Sequence, residues 1–147
     1  MGTVAVNDQH VAVVTGGASG IGAGIASALS ADGLDVFVLD NNPVHVEAYN
    51  TSHALARARL CDVTSPQSVA DEIAGIIQVA GRIDVLINNA GISGPTAPVE
   101  DVSPKDWQQT LDVSLSGAFH LTRVIVPIMK AQLSLIHISE PTRRRGI

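Results

Sequence analysis

The chain has 147 residues, of which 46% are apolar and only 3% are aromatic. This composition excludes a disordered chain and suits one α/β domain whose core is built from Val, Ile, Leu and Ala. The formal net charge is −5, so the surface offers no basic footprint and we expect no nucleic-acid partner.

The sequence also lacks the marks of a membrane or secreted protein. No run reaches about 18 uninterrupted apolar residues, and no basic segment precedes a hydrophobic one at the N-terminus. Cys61 is the only cysteine, which excludes an internal disulfide and fits a reducing compartment. The five histidines show no metal-ligand spacing. We therefore expect a cytoplasmic protein with no membrane span and no metal site.

Short apolar runs alternate along the chain with segments whose apolar residues recur every three or four positions. The apolar runs predict four strands, at residues 10–15, 35–39, 58–61 and 84–88. The helical patterns predict four helices, at residues 20–31, 43–49, 66–80 and from 104 onward. This alternation predicts an α/β fold with a doubly wound parallel sheet, truncated after about four strands and four helices.

Local signals mark several helix ends. Ser65 and Ser103 each precede a proline, the N-cap and first-turn combination that starts a helix. Gly81 follows the third helix, where a C-cap glycine is favoured. Pro127 lies inside the last helical pattern and predicts a kink or an early end. The apolar face of that last helix is expected to consist of Trp107, Leu111, Leu115, Ala118, Leu121, Ile125 and Ile128.

A glycine-rich turn joins the first strand to the first helix. Residues 15–22 read Thr-Gly-Gly-Ala-Ser-Gly-Ile-Gly. Glycines allow the backbone to turn sharply and to approach a pyrophosphate closely, and the helix N-terminus then presents N–H groups and partial positive charge to it. We predict a phosphate-binding turn formed by Gly16, Ser19, Gly20, Ile21 and Gly22.

An acidic residue closes the second strand. Asp40 lies 18 residues after Gly22, where a carboxylate can accept both ribose hydroxyls of an adenosine and repel a 2′-phosphate. Asn41 is uncharged, and no Arg or Lys stands nearby to neutralise an extra phosphate. The sequence therefore favours NAD over NADP as the cofactor.

Three motifs at the ends of predicted strands together resemble the short-chain dehydrogenase/reductase family: the glycine turn, Asp62-Val63, and Asn-Asn-Ala-Gly at residues 88–91. The resemblance covers about residues 10–132. It implies a Rossmann-type sheet, contact of Asp62 and Val63 with the adenine, and a cofactor pocket lined by the segment after the fourth strand. The predicted cofactor-binding residues are Gly16, Ser19, Gly20, Ile21, Gly22, Asp40, Asn41, Asp62, Val63, Asn89, Ala90 and Gly91.

The resemblance also implies a catalytic set that cannot be assigned here. Family members use a tyrosine as general acid/base, a lysine four residues later, an upstream serine and an asparagine in the long helix. The only tyrosine, Tyr49, is followed at that spacing by His53. Ser114 stands where the asparagine is usual; a serine can bind water but lacks the amide. We assign no catalytic residue and expect no dehydrogenase activity from the chain as written.

We divide the chain into a lead-in (residues 1–9), an incomplete cofactor-binding domain (10–132) and a tail (133–147) that does not continue the family pattern. Residues 133–143 match the in-frame translation of a transposase sequencing adapter, so we expect this tail to be artefactual. Without the fifth strand that the family would add, the fourth strand is left as a sheet edge and the long helix exposes apolar surface. We therefore expect the isolated polypeptide to be marginally stable or prone to aggregation.

The sequence therefore predicts part of an NAD(H)-dependent oxidoreductase that interconverts an alcohol and a ketone. The resemblance implies a homo-oligomer for the intact protein. The alternative from a different class is a non-catalytic NAD-binding sensor or regulatory module, which requires residues 133–147 to be native. A phosphate-binding P-loop is excluded because no Lys-Ser/Thr follows the glycines.

Overall fold

The computed structural model describes residues 9–55 and 57–136. The predicted lead-in therefore lies outside the described residues apart from Gln9, and the predicted tail lies outside them from residue 137 onward. The domain boundaries at residues 9 and 132 stay predictions.

The described residues form a four-stranded parallel sheet with the order β3-β2-β1-β4. The predicted α/β fold with a parallel sheet is confirmed. β2 and β3 lie on one side of β1 and β4 lies on the other, so the strand order reverses at β1. The strands are β1 (Val11–Thr15), β2 (Asp35–Asp40), β3 (Ala58–Leu60) and β4 (Val85–Ile87). As expected, β4 is an edge strand of this sheet.

Helices cover both faces of the sheet. They are α1 (Gly20–Ala31), α2 (Pro43–Ser52), α3 (Pro66–Ala80), α4 (Pro104–Leu111) and α5 (Gly117–Ile136). A short 3-10 turn, Val99–Asp101, precedes α4.

Successive side chains of β1 point to opposite faces of the sheet, so they contribute to two separate cores. Val11 and Val13 belong to one core, with residues of α3 and α5 such as Ile73 and Leu121. Ala12 and Val14 belong to the other core, with residues of α1 and α2. Each fully buried aliphatic side chain contributes about 1.5–3 kcal/mol through the surface it removes from water, so these two layers hold the sheet together.

The helix-start predictions are confirmed at α3 and α4. The Ser65 hydroxyl accepts a hydrogen bond from Ser68 N–H, and the Ser103 hydroxyl accepts one from Asp106 N–H. Gly81 ends α3 in the left-handed conformation, with φ +77°. Capping satisfies N–H groups that have no partner inside their own helix.

The last predicted helix differs from the expectation in two ways. A π-helical segment, Asp112–Ser116, separates α4 from α5 and shifts the residues that follow it around the axis. The predicted apolar face is wrong at Trp107, on α4 before this segment, and at Leu115, within it, which are 59% and 65% exposed, whereas Leu121 and Ile125 are buried.

The early end predicted at Pro127 is also wrong, because α5 continues through this residue to Ile136. Pro127 and Arg123, whose carbonyl loses its helical donor, both face solvent. Water can therefore take the place of the missing N–H group.

By length and composition alone, the helical stretch Pro104–Leu133 is long and apolar enough to cross a membrane. Only 17% of its most apolar window is buried within the described structure. A core helix of a soluble protein passes the same test, and Leu121 and Ile125 are fully buried against the sheet. The absence of a membrane span stays a prediction.

Asp84 ties the start of β4 to its neighbours. Its carboxylate accepts hydrogen bonds from Val11 N–H at 2.8 Å, from Arg82 Nη2 at 2.7 Å and from Gln132 Nε2 at 3.3 Å. The Gln132 amide also bonds both backbone groups of Ile83 at 2.9 Å. One carboxylate therefore fastens β1 and α5 to the β4 edge.

Asp84→Asn is expected to lower the free energy of unfolding by about 2 kcal/mol at pH 7, because the hydrogen bonds lose their charge. Burial alone would raise the pKa of Asp84, but the bonds from Arg82 and Val11 outweigh it and lower the pKa below 3.8. The carboxylate therefore stabilises the fold above about pH 5, and this contribution is lost as the pH falls through the folded pKa.

Denaturant unfolding as a function of pH measures the Asp84 effect. The difference between the parent chain and Asp84→Asn should disappear in acid. Asp71→Asn is the matched control, because Asp71 is exposed on α3 and accepts its hydrogen bond from Gln67, one turn away; its effect should stay within about 0.5 kcal/mol. A difference for Asp84→Asn that is independent of pH would contradict this account.

Candidate cofactor-binding site

A cleft of about 330 Å³ lies at the carboxyl ends of β1 and β2. This is where open parallel sheets bind ligands, at the point where the strand order reverses. Eight of the predicted cofactor-binding residues line it together: Gly16, Ser19, Asp40, Asn41, Val63, Asn89, Ala90 and Gly91. The structure therefore brings predicted residues from four successive segments of the chain together around one cavity.

The glycine turn needs glycine for two distinct reasons. Gly16 and Gly20 have φ values of +61° and +55°, a region that side chains rarely adopt. Gly22 is buried, and a Cβ atom on it would lie 2.5 Å from Asn89 Nδ2 and 2.8 Å from Gly17 Cα. The start of α1 can therefore approach the turn and the end of β4 only without a side chain at position 22.

The N-terminus of α1 differs from those of α2, α3 and α4. The Asn42, Ser65 and Ser103 side chains cap those three helices, whereas Ser19 makes no side-chain cap to α1. The N–H groups in the first turn of α1 have no acceptor within the helix. An uncapped first turn beside the cleft is the arrangement that binds a phosphate group.

Asp40 is 8% exposed. From the end of β2, its carboxylate forms a hydrogen bond with the glycine turn that follows the neighbouring strand, β1. One carboxylate oxygen accepts from Ala18 N–H at 3.2 Å and the other accepts from Asn42 N–H at 3.0 Å. Each carboxylate oxygen has two lone pairs, so both can accept a further hydrogen bond from a ligand hydroxyl. The sequence predicted a carboxylate at position 40, but it did not predict the hydrogen bond from Ala18, in the glycine turn after β1.

Asp62 lies next to the main cleft rather than in its lining. It lines an adjoining polar groove of about 660 Å³, which shares Asn41, Gln109 and Val113 with the main cleft. The Asp62 carboxylate accepts from the N–H and the hydroxyl of Thr64, at 2.9 and 2.7 Å. These bonds fix the turn after β3.

Gly20, Ile21 and Gly22 also lie outside the lining of the main cleft. Ile21 is 80% exposed on the first turn of α1. Gly22 lies beneath the glycine turn, so its contribution is to the packing of that turn.

Thr15 joins β1 to the segment after β4. Its side chain is 2% exposed, and its hydroxyl accepts from Asn89 N–H and from Ala90 N–H, both at 3.0 Å. The same hydroxyl donates to the Ile87 carbonyl at 3.4 Å. The Asn89 amide in turn donates to the carbonyls of Thr15 and Gly16. The glycine turn and the Asn89–Gly91 segment therefore form one hydrogen-bonded unit.

The sequence prediction missed several residues that line the cleft. His45 comes from α2, Gln109 from α4 and Val113 from the π-helical segment. Their spacing along the chain suggests helical faces, but no local signal points to a cavity. Cys61 also lines the cleft, and burial raises the pKa of its thiol to about 11, so it is protonated at neutral pH.

Ser114 holds the loop that follows Gly91. Its hydroxyl accepts from Ile92 N–H at 3.2 Å and donates to the Ile92 carbonyl at 3.3 Å. Ser114 belongs to the π-helical segment, and Ile92 lines the cleft. Ser114 is thus a link between the α4–α5 region and the wall of the cleft.

Ser114→Ala is expected to speed hydrogen exchange at the Ile92 amide about fivefold, which corresponds to the loss of about 1 kcal/mol of local stability. Ser114→Asn is the matched variant, since an amide can also accept from the N–H and donate to the carbonyl. It should keep the amide protected. Equal protection of Ile92 in the alanine variant and the parent chain would contradict the link.

A glycine turn, an uncapped helix and a buried acid at the end of the second strand define the class of nucleotide-binding α/β domains. Within that class, residues 10–139 match the family described as short chain dehydrogenase. The chain belongs to this family.

Comparison with relatives agrees with this assignment. The chain is 38% identical over 122 residues to D-threitol dehydrogenase of Mycolicibacterium smegmatis, covering 80% of this chain and 46% of that protein. It therefore spans about half the length of the curated relatives it matches.

Two solved structures show the same architecture. NAD⁺-bound xylitol dehydrogenase superposes with a TM-score of 0.80 at 30% identity, covering 90% of this chain and 55% of that one. A metagenomic short-chain oxidoreductase in complex with NADP superposes with a TM-score of 0.76 at 31% identity, covering 84% and 57%. Similar folds thus hold either cofactor, so the choice between them depends on local residues.

Proposed function

We propose that the chain is the cofactor-binding part of an oxidoreductase that interconverts an alcohol and a ketone and prefers NAD to NADP. The observation that carries this proposal is the cleft that is lined both by Ser19, at the uncapped start of α1, and by Asp40. A pyrophosphate fits the first and a ribose fits the second.

The remaining predicted residues take roles consistent with this orientation. Asp62 and Val63, at the end of β3, flank the place for an adenine ring. The Asn89–Gly91 segment, fixed by Thr15, lines the wall beyond the glycine turn. When bound, a nicotinamide dinucleotide would supply the hydride acceptor or donor, and the residues that line the cleft would hold and orient it.

The preference for NAD rests on charge. A 2′-phosphate beside Asp40 would meet a carboxylate that is almost fully buried. Among the described residues, no lysine or arginine lines the cleft to offset that repulsion. A free 2′-hydroxyl instead donates a hydrogen bond to the same carboxylate.

Isothermal titration calorimetry with NAD and with NADP tests the proposal. We expect NAD to bind at least about tenfold more tightly, a difference of about 1.4 kcal/mol. Asp40→Asn keeps the shape of the side chain but removes the charge, so it should narrow that ratio. Asp101→Asn, an exposed acid in the 3-10 turn, serves as the control. Equal affinity of the parent chain for the two cofactors would overturn the preference.

Turnover is a separate question from binding. The sequence holds no tyrosine followed four residues later by lysine, so we propose that the chain binds cofactor without oxidising an alcohol. The whole protein's substrate, its assembly into a homo-oligomer and a cytoplasmic location are likewise proposals. The lone buried Cys61 supports the location, because it fits a reducing compartment.

A further inference from the structure

Among the described residues, His45 is the one side chain lining the cofactor cleft that can carry a positive charge. It lies half-buried in the first turn of α2. The other titratable groups in the lining are Asp40 and Cys61, and the Cys61 thiol is protonated at neutral pH. A histidine side chain ordinarily changes its charge between pH 5 and 8. The charge of the cleft therefore depends on pH through His45.

Hydrogen bonds place His45 close to the Asp40 carboxylate. One Asp40 oxygen accepts from Asn42 N–H at 3.0 Å. The Asn42 side-chain oxygen caps α2, accepting from the N–H groups of Val44 and His45 at 3.0 and 3.4 Å. Because the cap fixes that oxygen, the amide nitrogen is the atom directed at the His45 ring, 3.5 Å from Nε2. Asp40, Asn42 and His45 thus line one continuous part of the cleft.

The charge state of His45 decides whether it and Asn42 can hold an anion together. Asn42 Nδ2 can only donate, so Nε2 of the neutral ring is the acceptor in this pair. Protonation adds a hydrogen to Nε2. The pair then consists of two donors 3.5 Å apart, one of them charged. The oxygens of a phosphate group accept from donors of this kind, and a charged donor strengthens the bond.

We propose that His45 determines how strongly the cleft discriminates against NADP. When protonated, it attracts the 2′-phosphate and offsets the repulsion from Asp40; when neutral, it leaves that repulsion in place. The inference rests on the proposed cofactor site, because a ribose held by Asp40 lies next to Asn42 and His45. Attraction between charges acts over several ångströms, so it requires no single contact. The preference for NAD should therefore weaken in mild acid.

Isothermal titration calorimetry with NAD and NADP, at about pH 6 and about pH 8, tests the proposal on the parent chain and on His45→Gln. Glutamine keeps an acceptor for the Asn42 amide but is never charged. The 2′-phosphate itself takes up a proton near pH 6 in both proteins, so the decisive quantity is the difference between their pH dependences. From about pH 8 to about pH 6, the NAD-to-NADP affinity ratio should fall about fivefold more in the parent chain.

Other charges near the cleft do not confound this comparison. Asp62, Lys105 and Asp112 line the adjoining groove, and Glu47 follows His45 on α2. All four are present in the parent chain and in the variants, as is Asp40. The pyrophosphate is common to NAD and NADP, so the affinity ratio isolates the interaction with the 2′-phosphate.

His45→Lys places a permanent charge at the same position. At about pH 8 it should raise the affinity for NADP relative to NAD by about fivefold or more. His53→Gln is the matched control, because His53 follows the same helix but is exposed and lies outside the cleft. Its affinity ratio should follow that of the parent chain at both pH values.

The outcomes distinguish this inference from the proposed function. If the parent chain prefers NAD but shares its pH dependence with His45→Gln, the cofactor site stands and the role of His45 is overturned. An unchanged ratio in His45→Lys would overturn that role as well. Binding of neither cofactor to the parent chain would overturn the proposed function and, with it, this inference.

Discussion

Gly22→Ala is expected to destabilise the chain by about 3 kcal/mol or more and to remove measurable cofactor binding. The new Cβ would lie 2.5 Å from Asn89 Nδ2 and 2.8 Å from Gly17 Cα. One of these neighbours is backbone, so the clash cannot be relieved by a change of rotamer. Either α1 retreats from the glycine turn or the turn itself opens, and both changes remove the phosphate site.

The same helix supplies the control for this substitution. Gly24 is exposed on α1, and a Cβ there would have no atom within 4 Å. Gly24→Ala should therefore stabilise the chain by about 1 kcal/mol, through helix propensity alone. Thermal unfolding and calorimetry with NAD measure both variants. If Gly22→Ala and Gly24→Ala had the same stability and the same affinity for NAD, the close approach at Gly22 would not be what fixes the turn.

Thr15→Val is expected to cost about 2–4 kcal/mol and to weaken cofactor binding, although the two side chains have nearly the same shape. Valine leaves the N–H groups of Asn89 and Ala90 without the hydroxyl that now accepts from both, and each lost partner costs about 1–3 kcal/mol. Because those groups shape the cleft wall, stability and affinity should fall together.

Thr122→Val is the matched control for Thr15. Thr122 is exposed on α5, and its hydroxyl accepts one hydrogen bond from Asn88 Nδ2 at 3.2 Å. Its loss should cost no more than about 0.5 kcal/mol. Denaturant unfolding gives the two values. A Thr15 variant as mild as the Thr122 variant would contradict the role assigned to the buried hydroxyl.

The sequence predicted the sheet and its helices because their signals are local. Buried runs bounded by glycine or serine-proline placed β1, α1, β2 and α3 within about one residue of their observed bounds. The cofactor cleft could also be predicted, since the carboxyl ends of parallel strands meet at one edge. Gly16 and Asp40 therefore had to lie near each other once their strands were assigned.

The features that sequence reasoning missed depend on contacts distant along the chain. The Thr15 hydroxyl meets Asn89, 74 residues away, only because β1 and β4 pair in one particular register. The π-helical segment was not predicted either, and Leu115 within it was assigned to the buried face, as was Trp107 on α4.

The β4 edge has a consequence for how the native structure opens. Three residues of β4 pair with β1 on one side, while Asp84 and Gln132 fasten its start and Thr15 fastens the segment after its end. We therefore expect that the strand does not fray from one end and that its opening breaks the bonds to α5 and to the glycine turn together. Hydrogen exchange should then show β4, the C-terminal part of α5 and the cleft wall opening as one cooperative unit.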